Sequence, residues 1–167
     1  MTKDEILQLF DIITDLNTWL IAKRVENNLA QHVQFPKTPP ALSEAIALNL
    51  LRDNILLQEI EIENLQLGRQ VADIIGTING QNITIEIKAT TADFQYLGIN
   101  DIQANFLIWI NLVNPLRNDN GNIDIYIVPN PAGYFPNTRN ITLNRFLVLT
   151  GATRINYQID IFDYLNE

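Results

Sequence analysis

The chain reads as an α/β domain, a mixed central β-sheet flanked by helices, and three features of the sequence lead there. Val71 to Lys88 is centred on Asn79-Gly80, and both central residues accept the positive φ of a type I′ turn, so this stretch is an antiparallel hairpin. Ahead of it, Ile6, Leu9, Phe10, Ile13, Leu16, Leu20 and Ile21 recur at helical spacing. After it, Asn105 to Val113 is a nearly continuous apolar run, the mark of a strand covered on both faces. The order helix, helix, strand, hairpin, helix, strand, strand describes a mixed sheet with helices packed on it.

Taken in order, residues 3–33 form the first predicted helix, with Asp4 and Glu5 suited to its N-terminus and Asn27-Asn28 a point of interruption. Phe35 to Pro40 is a loop, because Pro36, Pro39 and Pro40 cannot lie inside a helix. Residues 42–53 form a second helix, apolar on most sides, with Glu44 in its first turn, where an acid complements the helix dipole. Residues 55–62 read as a strand, on which Glu59, Glu61 and the following Glu63 alternate as one acidic stripe. A turn around Gly68 leads into the hairpin. Residues 92–104 leave room for a short helix at Asp101 to Gln103, which Gly98 weakens. Asn118 to Gly121 is a turn, Ile123 to Val128 a strand, and Pro129 to Thr138 a loop carrying Tyr134 and Phe135. A helix over 142–149 and a terminal strand or helix over 157–165 complete the chain.

A length of 167 residues makes one domain with a sizeable core. The absence of cysteine excludes a disulfide framework and a thiolate metal site. The lone His32 cannot build a histidine metal site and reads as a surface or capping residue. Met1 to Glu5 has mixed charge and no apolar run reaches membrane-spanning length, so the expectation is a cytoplasmic chain that does not enter a membrane. A net charge of −8 opposes a polyanionic partner overall. Yet no acidic residue falls between Ile125 and Ile159, while Arg139, Arg145 and Arg154 do, either as a local basic surface or as scattered solvated arginines. There is no Gly-rich phosphate loop, no Ser-His-Asp order and no zinc spacing.

Counting outward from Asn79-Gly80 sets Ile78 opposite Gln81, Ile75 opposite Thr84 and Asp73 opposite Glu86. Because side chains alternate faces, Glu86, Lys88 and Asp73 share one face, and Ala72, Ile74 and Ile78 meet Ile83, Ile85 and Ile87 on the other. Opposed residues have Cβ atoms about 4.5–5.5 Å apart, a spacing at which two carboxylates repel unless a cation lies between them. Magnesium takes oxygen ligands from one or two carboxylates and keeps its remaining waters. A bound metal acidifies its water and neutralises charge on a phosphoryl oxygen, and a lysine beside it orients the water or stabilises the anionic transition state. The alternative is a solvated polar face with a surface salt bridge.

Asp73, the hairpin, then Glu86-Ile87-Lys88 resembles the PD-(D/E)XK nuclease motif of the restriction endonuclease-like enzymes. The similarity covers about residues 42–128, with Glu44 on a helix before the sheet and an apolar strand, Phe106 to Val113, after the motif. The resemblance implies a restriction endonuclease-like core over 41–128, preceded by the helix and Pro-rich loop of 1–40 and followed by an extension over 129–167. It implies that Asp73 and Glu86 bind Mg2+ with the carbonyl of Ile87, that Glu44 joins through water, and that Lys88 positions the attacking water. Ala72 stands where the family often has Pro, a common variation, and Gln103 matches a polar residue of some members. The implied activity is a metal-dependent DNA endonuclease of the type II restriction kind, cutting double-stranded DNA as a homodimer, with Arg139, Arg145 and Arg154 as DNA contacts. A structure-specific repair or recombination nuclease and a non-catalytic acidic interaction protein are the alternatives.

Overall fold

The computed structural model describes residues 1–26, 39–68, 72–91, 96–99, 102–112, 122–135 and 140–158. Its elements in chain order are α1 (Lys3–Glu26), α2 (Pro40–Arg52), β1 (Glu63–Leu67), β2 (Ile74–Ile78), β3 (Gln81–Thr90), β4 (Tyr96–Gly98), β5 (Phe106–Asn111), β6 (Asn122–Pro129), a 3-10 turn (Pro131–Gly133), β7 (Asn140–Thr142), α3 (Leu143–Thr150) and β8 (Arg154–Gln158). Six strands form one mixed sheet in the order β1-β2-β3-β5-β6-β8, and β4 pairs with β7 beside it. Within the large sheet β3 and β5 run parallel and the other neighbours antiparallel. The expected mixed α/β architecture is therefore the observed one.

The hairpin turn has Asn79 at φ 51 and Gly80 at φ 75, the left-handed pair that a type I′ turn requires. Its register is the counted one, with Ile75 opposite Thr84 and Ile78 opposite Gln81. One sheet face is sealed by α1 and α2: Ile6, Phe10 and Ile13 of α1 and Leu42, Ile46 and Leu50 of α2 pack in one cluster with Ile74, Ile85 and Ile108. Lys3 bridges Asp53 at 2.9 Å and ties the start of α1 to the end of α2. On the other face α3, β4 and β7 cover β5 and β6. There Trp109 is fully buried against Phe146, with ring centroids 4.9 Å apart and planes at 81°, and its indole N–H donates to Thr90 Oγ1 at 2.9 Å. β4 also approaches β3, while the outer face of β2 and β3 carries Thr77, Asn82, Thr84, Glu86 and Lys88.

Several expectations are corrected. Pro40 opens α2 rather than excluding a helix, since a first-turn proline gives up an N–H that has no intrahelical partner. With the helix starting at Pro40, its first turn has no acid and Glu44 lies beyond it, so the helix dipole does not account for Glu44. Residues 55–62 are turns rather than a strand, with Asn54 at φ 53 and Leu57 at φ 57; the strand is Glu63–Leu67, so Glu59, Glu61 and Glu63 form no stripe. Instead of a helix within 92–104, the described part contains the short strand β4, and Ile102 to Asn105 lack helical structure. The last strand, β8, begins at Arg154, ahead of the expected 157. The end of the first predicted helix beyond Glu26, His32, the Asn118 to Gly121 turn, Arg139 and the chain after Gln158 lie outside the described residues. Among those described, no helix is long and apolar enough to cross a membrane.

Candidate active site

β2 and β3 bring Asp73, Glu86 and Lys88 to one place. The β2–β3 ladder closes at Ile74 opposite Ile85, so Asp73 lies one residue beyond it, on the line that meets Glu86. The next inward N–H of β3, that of Ile87, donates to Asp73 Oδ2 at 2.6 Å, so the aspartate side chain continues the ladder where the strand has ended. Gly68 holds the other side: its N–H donates to the Asp73 carbonyl at 2.8 Å. A Cβ on Gly68 would lie 2.0 Å from the Ala72 carbonyl oxygen, a close approach that only glycine allows. Lys88 Nζ pairs with Glu86 Oε1 on the same strand face, and both side chains are partly exposed, at 30% and 24%.

The electrostatics follow from this crowding. Burial pushes the Asp73 carboxyl above its ordinary range; the Ile87 N–H opposes the shift, Glu86 adds to it and Lys88 reduces it. The Glu44 carboxyl is also raised, by burial first and then by repulsion from Asp73 and Glu86, which places α2's acid within electrostatic reach of the pair. No three His, Cys, Asp or Glu side chains among the described residues converge closely enough to hold an ion by themselves. The donor set is therefore two hard carboxylates with Glu44 at greater distance. It fits a cation that takes one or two carboxylates and keeps its waters better than a fully caged one.

Sheet register orders the rest of this face. Lys88, Trp109, Tyr126 and Arg154 form one cross-strand row over β3, β5, β6 and β8. Arg154 is thus on the Lys88 face but three strand spacings away, about 14 Å. It is 63% exposed, with Asp124 3.9 Å from its Nε. Arg145 is exposed on α3. Sequence reasoning did not single out the neutral residues on the other side of the acids. Gln66 pairs with Ile75 and Ile75 with Thr84, next to Asp73 and Glu86, and Thr77 pairs with Asn82 one row further out. The visible signal was the alternation of Asn82, Thr84 and Glu86 with isoleucines along β3.

No family model matches the chain, and no curated protein matches it in sequence. Among solved structures the chain is similar to a bacterial homing endonuclease, I-Ssp6803I, at 14% identity and a TM-score of 0.39, over 64% of this chain and 76% of that one.

Proposed function

We propose that this chain is a Mg2+-dependent endodeoxyribonuclease of the PD-(D/E)XK kind. The observation that supports it most directly is the ladder end at which Asp73 meets Glu86 and Ile87, with Lys88 on the same face. In this reading Asp73 and Glu86 hold the ion. The carbonyl of Ile87 is the third donor: N–H and C=O of one strand residue point to the same edge, and the Ile87 N–H already points at Asp73. When bound, such an ion acidifies a coordinated water and neutralises charge developing on the phosphoryl oxygens. Glu44, whose carboxyl feels the charge of Asp73 and Glu86, would join that shell through a water.

Lys88 is the cation the chain itself supplies. Its pairing with Glu86 keeps the ammonium beside the scissile phosphate, where it orients the attacking water and offsets charge in the transition state. The water oxygen bonds to phosphorus and its proton passes to bulk solvent, the bond from phosphorus to the leaving sugar oxygen breaks, and that oxygen takes a proton from solvent. Double-stranded DNA is the proposed substrate, with Arg145, Arg154 and Arg139 as backbone contacts and a homodimer as the cutting unit. Digestion of long mixed-sequence DNA with Mg2+ tests the reading. Discrete bands that vanish in Asp73→Ala and Lys88→Ala support a sequence-specific, restriction-type enzyme. Cleavage only of forks, flaps or ends would make it a structure-specific repair nuclease, and no cleavage of any of these DNAs would remove the nuclease assignment.

A further inference from the structure

We propose that the outer face of the β1–β2–β3 ribbon is a base-reading surface for duplex DNA, inserted in the major groove beside the phosphate held at Asp73 and Glu86. The inference rests on the nuclease reading and adds to it the residues that would choose the sequence.

The ribbon is one end of the six-stranded sheet, with β1 as its edge strand. β3 pairs with β5 from Ile85 onward and Thr84 bonds to Asn105 just before β5, so the hairpin between Gly76 and Ile83 pairs only with itself and with β1 among the described strands. Its outer face is a groove of about 520 Å3 lined by Asn64, Gln66, Thr77, Asn82 and Thr84 together with Ile75, Gly76 and Ile83. The first five carry amides and hydroxyls without charge, in contrast to the adjoining acids and lysine. Amides suit base edges: Asn and Gln make paired bonds to adenine N6 and N7, and the threonine methyl packs on the thymine methyl. The β2–β3 pair, with strand axes about 5 Å apart, fits a major groove about 12 Å wide, which admits a two-stranded ribbon, and β1 lies at its side. Neutral readers also fit a chain of net charge −8, since cations would supply affinity and these residues discrimination.

The polar atoms are unequally engaged. Thr84 Oγ1 donates to Asn105 Oδ1 at 3.1 Å, and Asn64 Nδ2 donates to Thr77 Oγ1 at 3.1 Å. Gln66 and Asn82 are exposed and make no side-chain hydrogen bond among the described residues, which leaves their amides available. β1 has a register irregularity between Glu63 and Gln66, with Asn64 at φ 53. Such a bulge turns Gln66 onto the groove and also spoils the free edge for a peptide strand, which favours DNA over a β-strand partner.

The register sets the reach. Thr84 and Asn82 precede Glu86 by two and four residues on one face, about 7 and 13 Å along the strand, or about two and four base pairs from the cut. The test uses the full-length chain with Mg2+ on a pool of duplexes randomised around the cut, with sequencing of the product ends. The expected wild-type preference is concentrated two to four base pairs from the cleaved bond. Gln66→Ala and Asn82→Ala should each flatten preference at one of those positions by on the order of 10-fold. Both residues are exposed, so unchanged melting curves would show that the variants fold. Cutting with an identical profile in both variants, or cutting without preference, overturns the base-reading surface and leaves the nuclease standing. No cutting by wild type, together with no duplex binding by Asp73→Asn, overturns the nuclease reading and this one with it.

Discussion

Asp73 has two roles that oppose one another. Its Oδ2 closes the ladder on Ile87, yet its charge lies against Glu86 and Glu44. Because its folded pKa is raised above the ordinary value of 3.8, the folded chain holds more protons than the unfolded one between the two values. Stability should therefore fall as pH rises through that window and stay lower above it. Asp73→Asn keeps an oxygen for the Ile87 N–H and removes the repulsion. We expect it to abolish cleavage while raising the melting temperature by about 2 °C at neutral pH, with no gain at pH about 3, where the carboxyl is protonated in both states. Asp73→Ala also removes the acceptor and should lose about 1–2 kcal/mol relative to Asp73→Asn in a denaturant titration. Equal stability of the two variants would show that the Ile87 bond contributes nothing.

At the scale of elements, the hairpin is positioned by glycines as much as by its turn. Gly76 lets Ile62 lie over the ribbon, since a Cβ there would be 2.8 Å from Ile62 Cγ2. Gly68 lets the Ala72 carbonyl pass at a distance that no other residue accepts. Gly68→Ala must therefore shift the Ala72-Asp73 peptide, and we expect at least a 10-fold loss of cleavage rate with far-UV circular dichroism retained; a 1 Å misplacement near the chemistry has a cost of that order. Across the sheet, α3 is held chiefly by Phe146, which is fully buried, meets Trp109 edge-on and stacks on Phe135 at 5.7 Å. Phe146→Ala should lose about 3–5 kcal/mol, read from the denaturation midpoint. A loss under about 1 kcal/mol would mean that α3 is not anchored there.

For the whole molecule, a ligand that binds only the folded state raises stability by mass action. Mg2+ at ten times its dissociation constant should add about 1.4 kcal/mol, or about 3–5 °C, and Asp73→Asn should lose that response. A melting temperature independent of Mg2+ in the wild type would count against the metal site. The proposed homodimer would have a candidate surface in α1, where Ile12, Leu16 and Trp19 lie at helical spacing and are 57%, 42% and 56% exposed. With acids in its first turn and Lys23 and Arg24 in its last, two copies of α1 set antiparallel would bring unlike charges together. Sedimentation should show a dimer for wild type and a monomer for Leu16→Glu. A wild-type monomer at high protein concentration would remove the dimer.

By itself the sequence determined what depends on neighbours along the chain. A two-residue turn specifies its own register, so the facing of Asp73 and Glu86 followed from Asn79-Gly80, α1 followed from its helical spacing and β5 from its continuous apolar run. It misread residues 55–62, where alternating Glu and Ile imitate a strand but left-handed residues at Asn54 and Leu57 turn the chain before β1. Only the tertiary structure decided the parallel pairing of β3 with β5, the approach of Glu44 to the acids, the hold of Gly68 on Asp73 and the neutral groove beside them. Each of these joins segments far apart in the chain. Their geometry is set by burial of apolar faces over the whole sheet, which no local pattern records.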